Sequence, residues 1–236
     1  MRTLFLAAMT VLMLVGTLGC QVREPVERAE RPDVNVAATI SLPSPQAAGQ
    51  RSVEAALAGR HSERDFTALP LTKEALGQLL WAMQGIAVDV ISGATRTAPS
   101  AGATHPLEVY VVIGNVTGLE SGIYNYVQHN HSLRLIQAGE FAPELMVAAL
   151  EQEFIAEAPV NFVLAADFAR TTVRYGERGR RYVYMEVGHA TQNLLLQAEA
   201  LGLGTVAVGA FHDNRVATLL DTTSAPLMIV TTGFAR

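Results

Sequence analysis

The sequence predicts an α+β domain, and three observations carry that prediction. Half of the 236 residues are hydrophobic and 17% are charged, which is enough apolar material for a sizeable core. Strand-like segments stand beside helix-period segments: an apolar run at 109–114, alternating runs at 122–127 and 133–137, and a buried-type run at 161–167. The two kinds of segment mix without the strict β-α alternation that a parallel sheet requires. The length leaves room for one such domain. The formal net charge of −5 argues against a nucleic-acid surface.

The N-terminus is a different object. After Met1-Arg2 comes the apolar run Leu4–Val15, too short to span a membrane comfortably and right for a signal h-region. It ends in Thr17-Leu18-Gly19-Cys20, which resembles a bacterial lipoprotein signal, with Thr17 where Leu is usual. On that reading residues 1–20 are a signal and Cys20 is acylated, anchoring the protein in the cell envelope outside the cytoplasm. The alternative is a plain secretory signal with an incidental cysteine. Cys20 is the only cysteine, so no intrachain disulfide or cysteine-based metal site can form. Residues 21–50 are rich in Pro, Gln, Ala and charge, hold no period, and read as a tether. The folded domain is expected at 51–236.

The remaining elements follow in order. Ser52 caps a short helix that Gly59 stops, and residues 60–66, "RHSERDF", form a loop. Thr72 caps a second helix with Leu76, Leu79, Leu80 and Met83 on one face, ended by Gly85. Residues 109–114 are a strand; 122–127 and 133–137 pair around a turn at 128–132. Pro143 opens a helix to about Glu157, and 161–167 is a strand. The longest helix, 182–201, shows no polar face broad enough for solvent, so it is expected to be central, buried on most sides and suited to sharing with a second subunit. Residues 205–211 are a strand, Asp213 caps a helix to Leu220, and 226–233 is the last strand.

Four stretches invite chemical readings. Gly202-Leu203-Gly204-Thr205-Val206-Ala207 carries part of the spelling of a dinucleotide fingerprint, but it follows a helix and enters a strand, the reverse of what that mechanism needs. It is read as a tight turn. His129-Asn130-His131 lies at a hairpin tip with no carboxylate close in sequence and reads as a polar turn, so no metal site is expected. Arg60-His61-Ser62-Glu63-Arg64 places two guanidinium groups around a hydroxyl in a loop, the equipment for a phosphate or a solvated charge cluster. Residues Ala98 to Thr104, just ahead of the 109–114 strand, carry side chains no larger than Pro or Thr.

Taken together, "RHSERDF", "PSAGATHPLEVY", the long helix and "GLGTVAVGAF" resemble the FMN-dependent nitroreductase superfamily over residues 50–234. "RTAPSAGATHPLEVYVV" with "RYGERGRRYVYMEVGHATQNLLLQAEALGLG" is similar to its branch of SagB-type dehydrogenases, which includes azoline oxidases. The resemblance implies a homodimer with a mixed central sheet, a long buried central helix and FMN at the subunit interface. It implies that Arg60 and Ser62 hold the phosphate and ribityl end and that Arg64 is the cation near flavin N1 and O2. It places Pro99, Ser100, Ala101 and Gly102 against the ring, where a bare backbone can approach a flat surface. It assigns the Val208-Gly209-Ala210 backbone to flavin N5, with Gly209 leaving the hydride face open. Hydride would pass in ping-pong fashion from a donor, NAD(P)H in the nitroreductase version, to a small-molecule acceptor.

Two features depart from the family pattern. The usual basic residue after the last strand has only the terminal Arg236 as a counterpart. The Lys-Tyr pair of azoline oxidation matches Arg174-Tyr175, and Arg stays protonated, so Tyr175 alone would have to act as the catalytic base. Two alternatives therefore stand beside a nitroreductase: a dehydrogenase acting on a peptide heterocycle or small substrate, and a non-catalytic surface lipoprotein that keeps the fold. Glu186, His189 and Asn193 share one face of the long helix. With Gln192 nearby, they line the pocket or form a buried hydrogen-bond network, the latter being preferred.

Overall fold

The computed structural model describes residues 39–89 and 93–236; the expected signal, and the expected tether through residue 38, lie outside the described residues. The described chain opens with β1 (Thr39–Ser41), α1 (Val53–Gly59) and α2 (Lys73–Gln84). A ribbon of β2 (Ile86–Asp89) and β3 (Gly93–Arg96) follows, then β4 (Leu107–Ile113), β5 (Gly122–Val127) and β6 (Ser132–Ala138). Next come α3 (Ala142–Ala148), α4 (Phe154–Glu157), β7 (Val160–Ala166), α5 (Ala169–Tyr175) and α6 (Arg178–Ala200). The chain closes with β8 (Gly204–Val208), α7 (Asp213–Leu219) and β9 (Ala225–Gly233).

The sheet order is β1-β6-β5-β4-β7-β9-β8. Side chains alternate across it, and each face has its own cover. Val109, Val111, Phe162 and Leu164 meet Leu76, Leu79 and Met83 of α2 and Val183, Val187 and Leu194 of α6. From the opposite face Tyr110, Val112, Val163 and Ala165 meet Leu145 of α3, Ile155 of α4 and Val216 of α7. Burial from both sides explains why β7 is apolar at every position except Asn161. That side chain is satisfied by donating to the Ile155 carbonyl at 2.9 Å and accepting from Thr231 Oγ1 at 2.8 Å.

Two of the three expected caps are in place; the third is corrected, because Asp213 is the first residue of its helix, His212 stands at the cap position, and no side chain caps that end. Ser52 Oγ accepts the Ala55 amide at 3.2 Å and Thr72 Oγ1 that of Ala75 at 3.1 Å, each cap being worth about 1 kcal/mol.

Four further expectations are corrected. The sheet is not mixed: its named strand pairs are antiparallel, and parallel pairing is confined to isolated bridges at Ser62–Thr205 and Leu71–Val116. The tether ends earlier than residue 50. Thr39–Ser41 pairs with β6, Leu42 is buried, and the Pro43 carbonyl lies 2.9 Å from His131 Nε2. The helix expected from Pro143 to Glu157 breaks, because Leu150 and Glu151 adopt φ of 60°. Finally, α6 is not buried on most sides within one chain. Val183, Val187, Ala190, Leu194 and Ala198 form its buried stripe, whereas Tyr184 and Met185 are each 52% exposed.

Candidate active site

Where α1 ends, the Arg60 amide donates to the Ala56 carbonyl at 3.0 Å, and the chain turns to run beside β8. Ser62 bridges Thr205, and the Glu63 amide donates to the Thr205 carbonyl at 2.9 Å. The Glu63 carboxylate then wraps the turn. Its Oε1 accepts the Arg64 amide at 2.7 Å and the Asp65 amide at 2.8 Å, and its Oε2 lies 3.5 Å from His61 Nε2. The Asp65 amide above all, with the Arg64 amide and His61, holds the Glu63 carboxyl below the usual range. The Gly59 carbonyl and then Glu63 raise the His61 imidazole. Among the described residues, the Arg60, Ser62 and Arg64 side chains take part in no hydrogen bond or ion pair. Two uncommitted guanidinium groups flanking a hydroxyl suit an anionic ligand.

Arg236 docks on the same turn. Its amide donates to the Asp65 carbonyl at 2.9 Å, its Nη2 to the Phe66 carbonyl at 2.9 Å, and its Nε lies 3.1 Å from Asp65 Oδ1. The terminal residue is therefore positioned beside Arg64, with its guanidinium engaged by protein. Beyond the bridge, β8 ends at Val208 in a bare surface. Ala207, Gly209 and Ala210 are exposed, and a Cβ built on Gly209 would meet no atom within 4 Å. Gln152 Nε2 donates to the Ala210 carbonyl at 3.0 Å, a support that sequence reading missed because it comes from the α3–α4 connection.

The bare segment ahead of β4 lies elsewhere. Ala98 is buried, Pro99 is exposed, and Ala101–Ala103 form one 3₁₀ turn. Gly102, Ala103 and His105 take φ of 58°, 52° and 45°. The Ser100 hydroxyl accepts the His105 amide at 2.9 Å. At Gly102 the close neighbours are protein: Arg174 Nη1 donates to its carbonyl at 3.1 Å, and a Cβ there would run into the Tyr175 hydroxyl and Arg174. Tyr175 in turn stacks edge-on against Tyr182 with ring centres 5.2 Å apart.

Beneath this segment runs α6. Asn193 Nδ2 donates to the Thr97 carbonyl at 3.3 Å, and Glu186 is 3% exposed. Glu186 Oε1 has no hydrogen-bond partner, and burial pushes the carboxyl up to about 7 against the opposing pull of Ser100 and Arg96. His189 is exposed on the same helix. The other end of α6 carries Glu199, which pairs with Arg51 at 2.8 Å and stands where a side chain on Gly59 would be, next to Arg60. At about 1.5 Å rise per residue, the points on α6 that carry Glu186 and Glu199 are roughly 20 Å apart. The structure thus gathers Arg60, Ser62, Arg64 and Arg236 at one place, with Val208–Ala210 further along the bridged strand. It gathers Pro99–Gly102, Tyr175 and Glu186 at another.

The sequence matches the nitroreductase family profile over residues 57–234. The chain belongs to the nitroreductase family. A Methanocaldococcus jannaschii protein named as a nitroreductase is 45% identical over 77% of this chain and 90% of its own. A solved nitroreductase structure from Ralstonia eutropha superposes with a TM-score of 0.73 at 28% identity, covering 90% of this chain and 98% of that one. The microcin B17-processing protein McbC of Escherichia coli is 28% identical over 57% of this chain and spans about twice the matched length, 52% of it being covered. This nitroreductase chain carries its α2 and α6 layer on one face of the sheet, with a cleft of about 770 Å³ between α2, α6 and residues 43–53. Thr97 and Asn193 stand at one side of that cleft and Arg51 and Val53 at another; the arginine turn, the end of β8 and Pro99–Gly102 do not line it.

Proposed function

We propose that this nitroreductase-family oxidoreductase works as an FMN-dependent homodimer, each site built from the arginine turn of one copy and the bare segment of the other. The observation that supports it best is the split itself: an anion-ready turn and a bare segment, held near opposite ends of one helix. A second copy covering the exposed Tyr184 and Met185 of α6 and Val53 and Leu57 of α1 would bring the two together.

The residues fit the group. Arg60, Ser62 and Arg64 would hold its phosphate and balance charge on its polar edge. Gly209 and Ala210 would leave one ring face open, and Pro99–Gly102 would cover the other. When bound, FMN supplies two-electron chemistry, accepting hydride from NAD(P)H and giving it to a small acceptor in turn. The fixed positive charge of Arg64 favours the reduced, negatively charged form.

The McbC similarity supports a second reading, oxidation of a heterocycle in a peptide, with Tyr175 as the base. Tyr175 is set against Gly102, inside the ring-facing segment, which favours it. Arg174 is held on the Gly102 carbonyl and stays cationic, so it would support Tyr175 by charge. Lipid on Cys20 would tether the dimer to a membrane.

The test is the absorption spectrum of the protein purified without residues 1–20. A yellow protein bleached by NAD(P)H is expected. A colourless one that takes up no added FMN removes the proposal, and a yellow one that NAD(P)H never bleaches leaves the dehydrogenase reading.

A further inference from the structure

Residues 101–105 are held from one direction. Gly102, Ala103 and His105 take φ of 58°, 52° and 45°, and for Ala and His such backbone is costly. Within the segment the Ala103 amide donates to the Ser100 carbonyl at 3.1 Å and the Thr104 amide to the Ala101 carbonyl at 3.3 Å. Among the described residues, every hydrogen bond that reaches residues 101–105 from outside 100–105 comes from α5. Arg174 Nη1 donates to the Gly102 carbonyl at 3.1 Å, and Arg170 Nη1 to the His105 carbonyl at 3.3 Å. Thr104 commits its one hydroxyl hydrogen to the Ala101 carbonyl at 3.0 Å, so the Thr171 hydroxyl, 2.8 Å away, is the donor between the two threonines. Spacings of three and four residues place Thr171 and Arg170 on the Arg174 side of the helix.

Arg170 is itself anchored. Its Nη2 lies 2.6 Å from Glu108 Oε1 on β4, and its Nε 3.3 Å from Asp167 Oδ2. Glu108 Oε2 accepts from Ser224 Oγ, just ahead of β9, at 3.0 Å. The Asp167 amide donates to the Pro106 carbonyl at 3.0 Å. The place of the segment is thereby set by the central strands of the sheet, through α5, and not by any stiffness of its own small residues.

We propose that Arg170 and Thr171 are positioning residues that, with Arg174, clamp residues 101–105 onto α5 and hold the bare backbone ready for a flat ring. The clamp is independent of any ligand; its effect on FMN rests on the reading of Pro99–Gly102 as flavin-facing. Thr171 is 1% exposed, and the Arg170 guanidinium is taken up by Glu108, Asp167 and the His105 carbonyl, so both act through the segment. A segment already held in its strained form spends no binding energy on being ordered. The same helix ends at Tyr175, whose hydroxyl stands where a side chain on Gly102 would be, so releasing the clamp shifts both.

Two measurements test it, each on wild type, Arg170→Met and Thr171→Val, the last keeping the shape of the buried threonine. Amide hydrogen exchange of the apoprotein comes first. The amides of Ala103, Thr104 and His105 should exchange about tenfold faster in each variant, the worth of one hydrogen bond, with the Arg64 and Asp65 amides of the arginine turn unchanged. Exchange at the segment that matches wild type in both variants overturns the clamp, whatever the flavin does. FMN binding is then compared by titration and visible absorption. Each variant should bind about tenfold more weakly. The band of its bound flavin should lose the resolved shoulders of a ring shielded from water. Faster exchange with FMN affinity and band shape unchanged overturns the positioning role. If wild type takes up no FMN, the flavin reading and the positioning role fall together, and the exchange result alone decides the clamp. Should Arg170→Met not fold, Thr171→Val decides the same points.

Discussion

The Arg174 guanidinium donates to the carbonyl of Gly102 at 3.1 Å, so α5 is tied to the one glycine of the bare segment. Gly102 sits at φ 58°, and a methyl group there would meet Arg174 at 2.7 Å and the Tyr175 hydroxyl. Gly102→Ala is predicted to lose about 1–2 kcal/mol of stability by denaturant unfolding, from left-handed backbone and crowding. It should also displace Tyr175. An unchanged unfolding midpoint would mean that the segment relaxes freely.

Arg60 and Arg64 hold nothing within the described chain. Replacing both by Ala is predicted to leave the apoprotein's melting temperature within a degree or two and to abolish the FMN-dependent rise seen with wild type. An equal rise in the variant would remove these residues from the site.

Glu63 organises that turn through two backbone amides. Because its carboxyl is held below the usual range, its contribution is present above the unfolded value and lost as pH falls through the folded one. Glu63→Gln is predicted to cost about 1 kcal/mol at neutral pH and to weaken FMN binding severalfold with both arginines intact. The difference from wild type should vanish in acid, where the wild-type carboxyl is neutral too.

The opposite sign applies to Glu186. Its folded value, about 7, lies above the ordinary carboxyl value of 4.5. Below about 4.5 the carboxyl is neutral folded and unfolded, and stability is greatest. As pH rises toward 7 the unfolded chain ionises first, so apoprotein stability falls by up to about 3 kcal/mol and then levels. Glu186→Gln should flatten that limb in chemical-denaturation series taken across pH.

Charge placed on the exposed face of α6 tests the shared site. Tyr184→Glu with Met185→Glu is predicted to sediment as a monomer and to bind no FMN, although neither side chain belongs to the arginine turn. Wild type should sediment as two copies. A wild-type monomer carrying one FMN would sink the two-copy site.

Local features were legible in the residue order. Ser52 and Thr72 announce helix starts because capping is a contact over three residues. Val160–Ala166 announces a strand covered on both faces because each side chain reports its own burial. The nitroreductase family, too, was legible, since its motifs are short and follow in order. The break at Leu150 and Glu151 was not, since nothing in the run from Pro143 marks a left-handed pair. Nor was β1, three residues that are strand only because β6 supplies the partner.

The sequence by itself determined the α+β class, through composition and period, and the family, through the resemblance of its short motifs, which also nominated the residues of the candidate site. Only the tertiary structure decided how they are grouped. It made the sheet antiparallel, fastened the arginine turn to β8 through the Glu63 amide and the Thr205 carbonyl, aimed Tyr175 at Gly102 and buried Glu186. Each of these is a contact between residues far apart in the chain, fixed by how the helices cover the sheet, and one-dimensional order does not encode which distant side chains will share an interior.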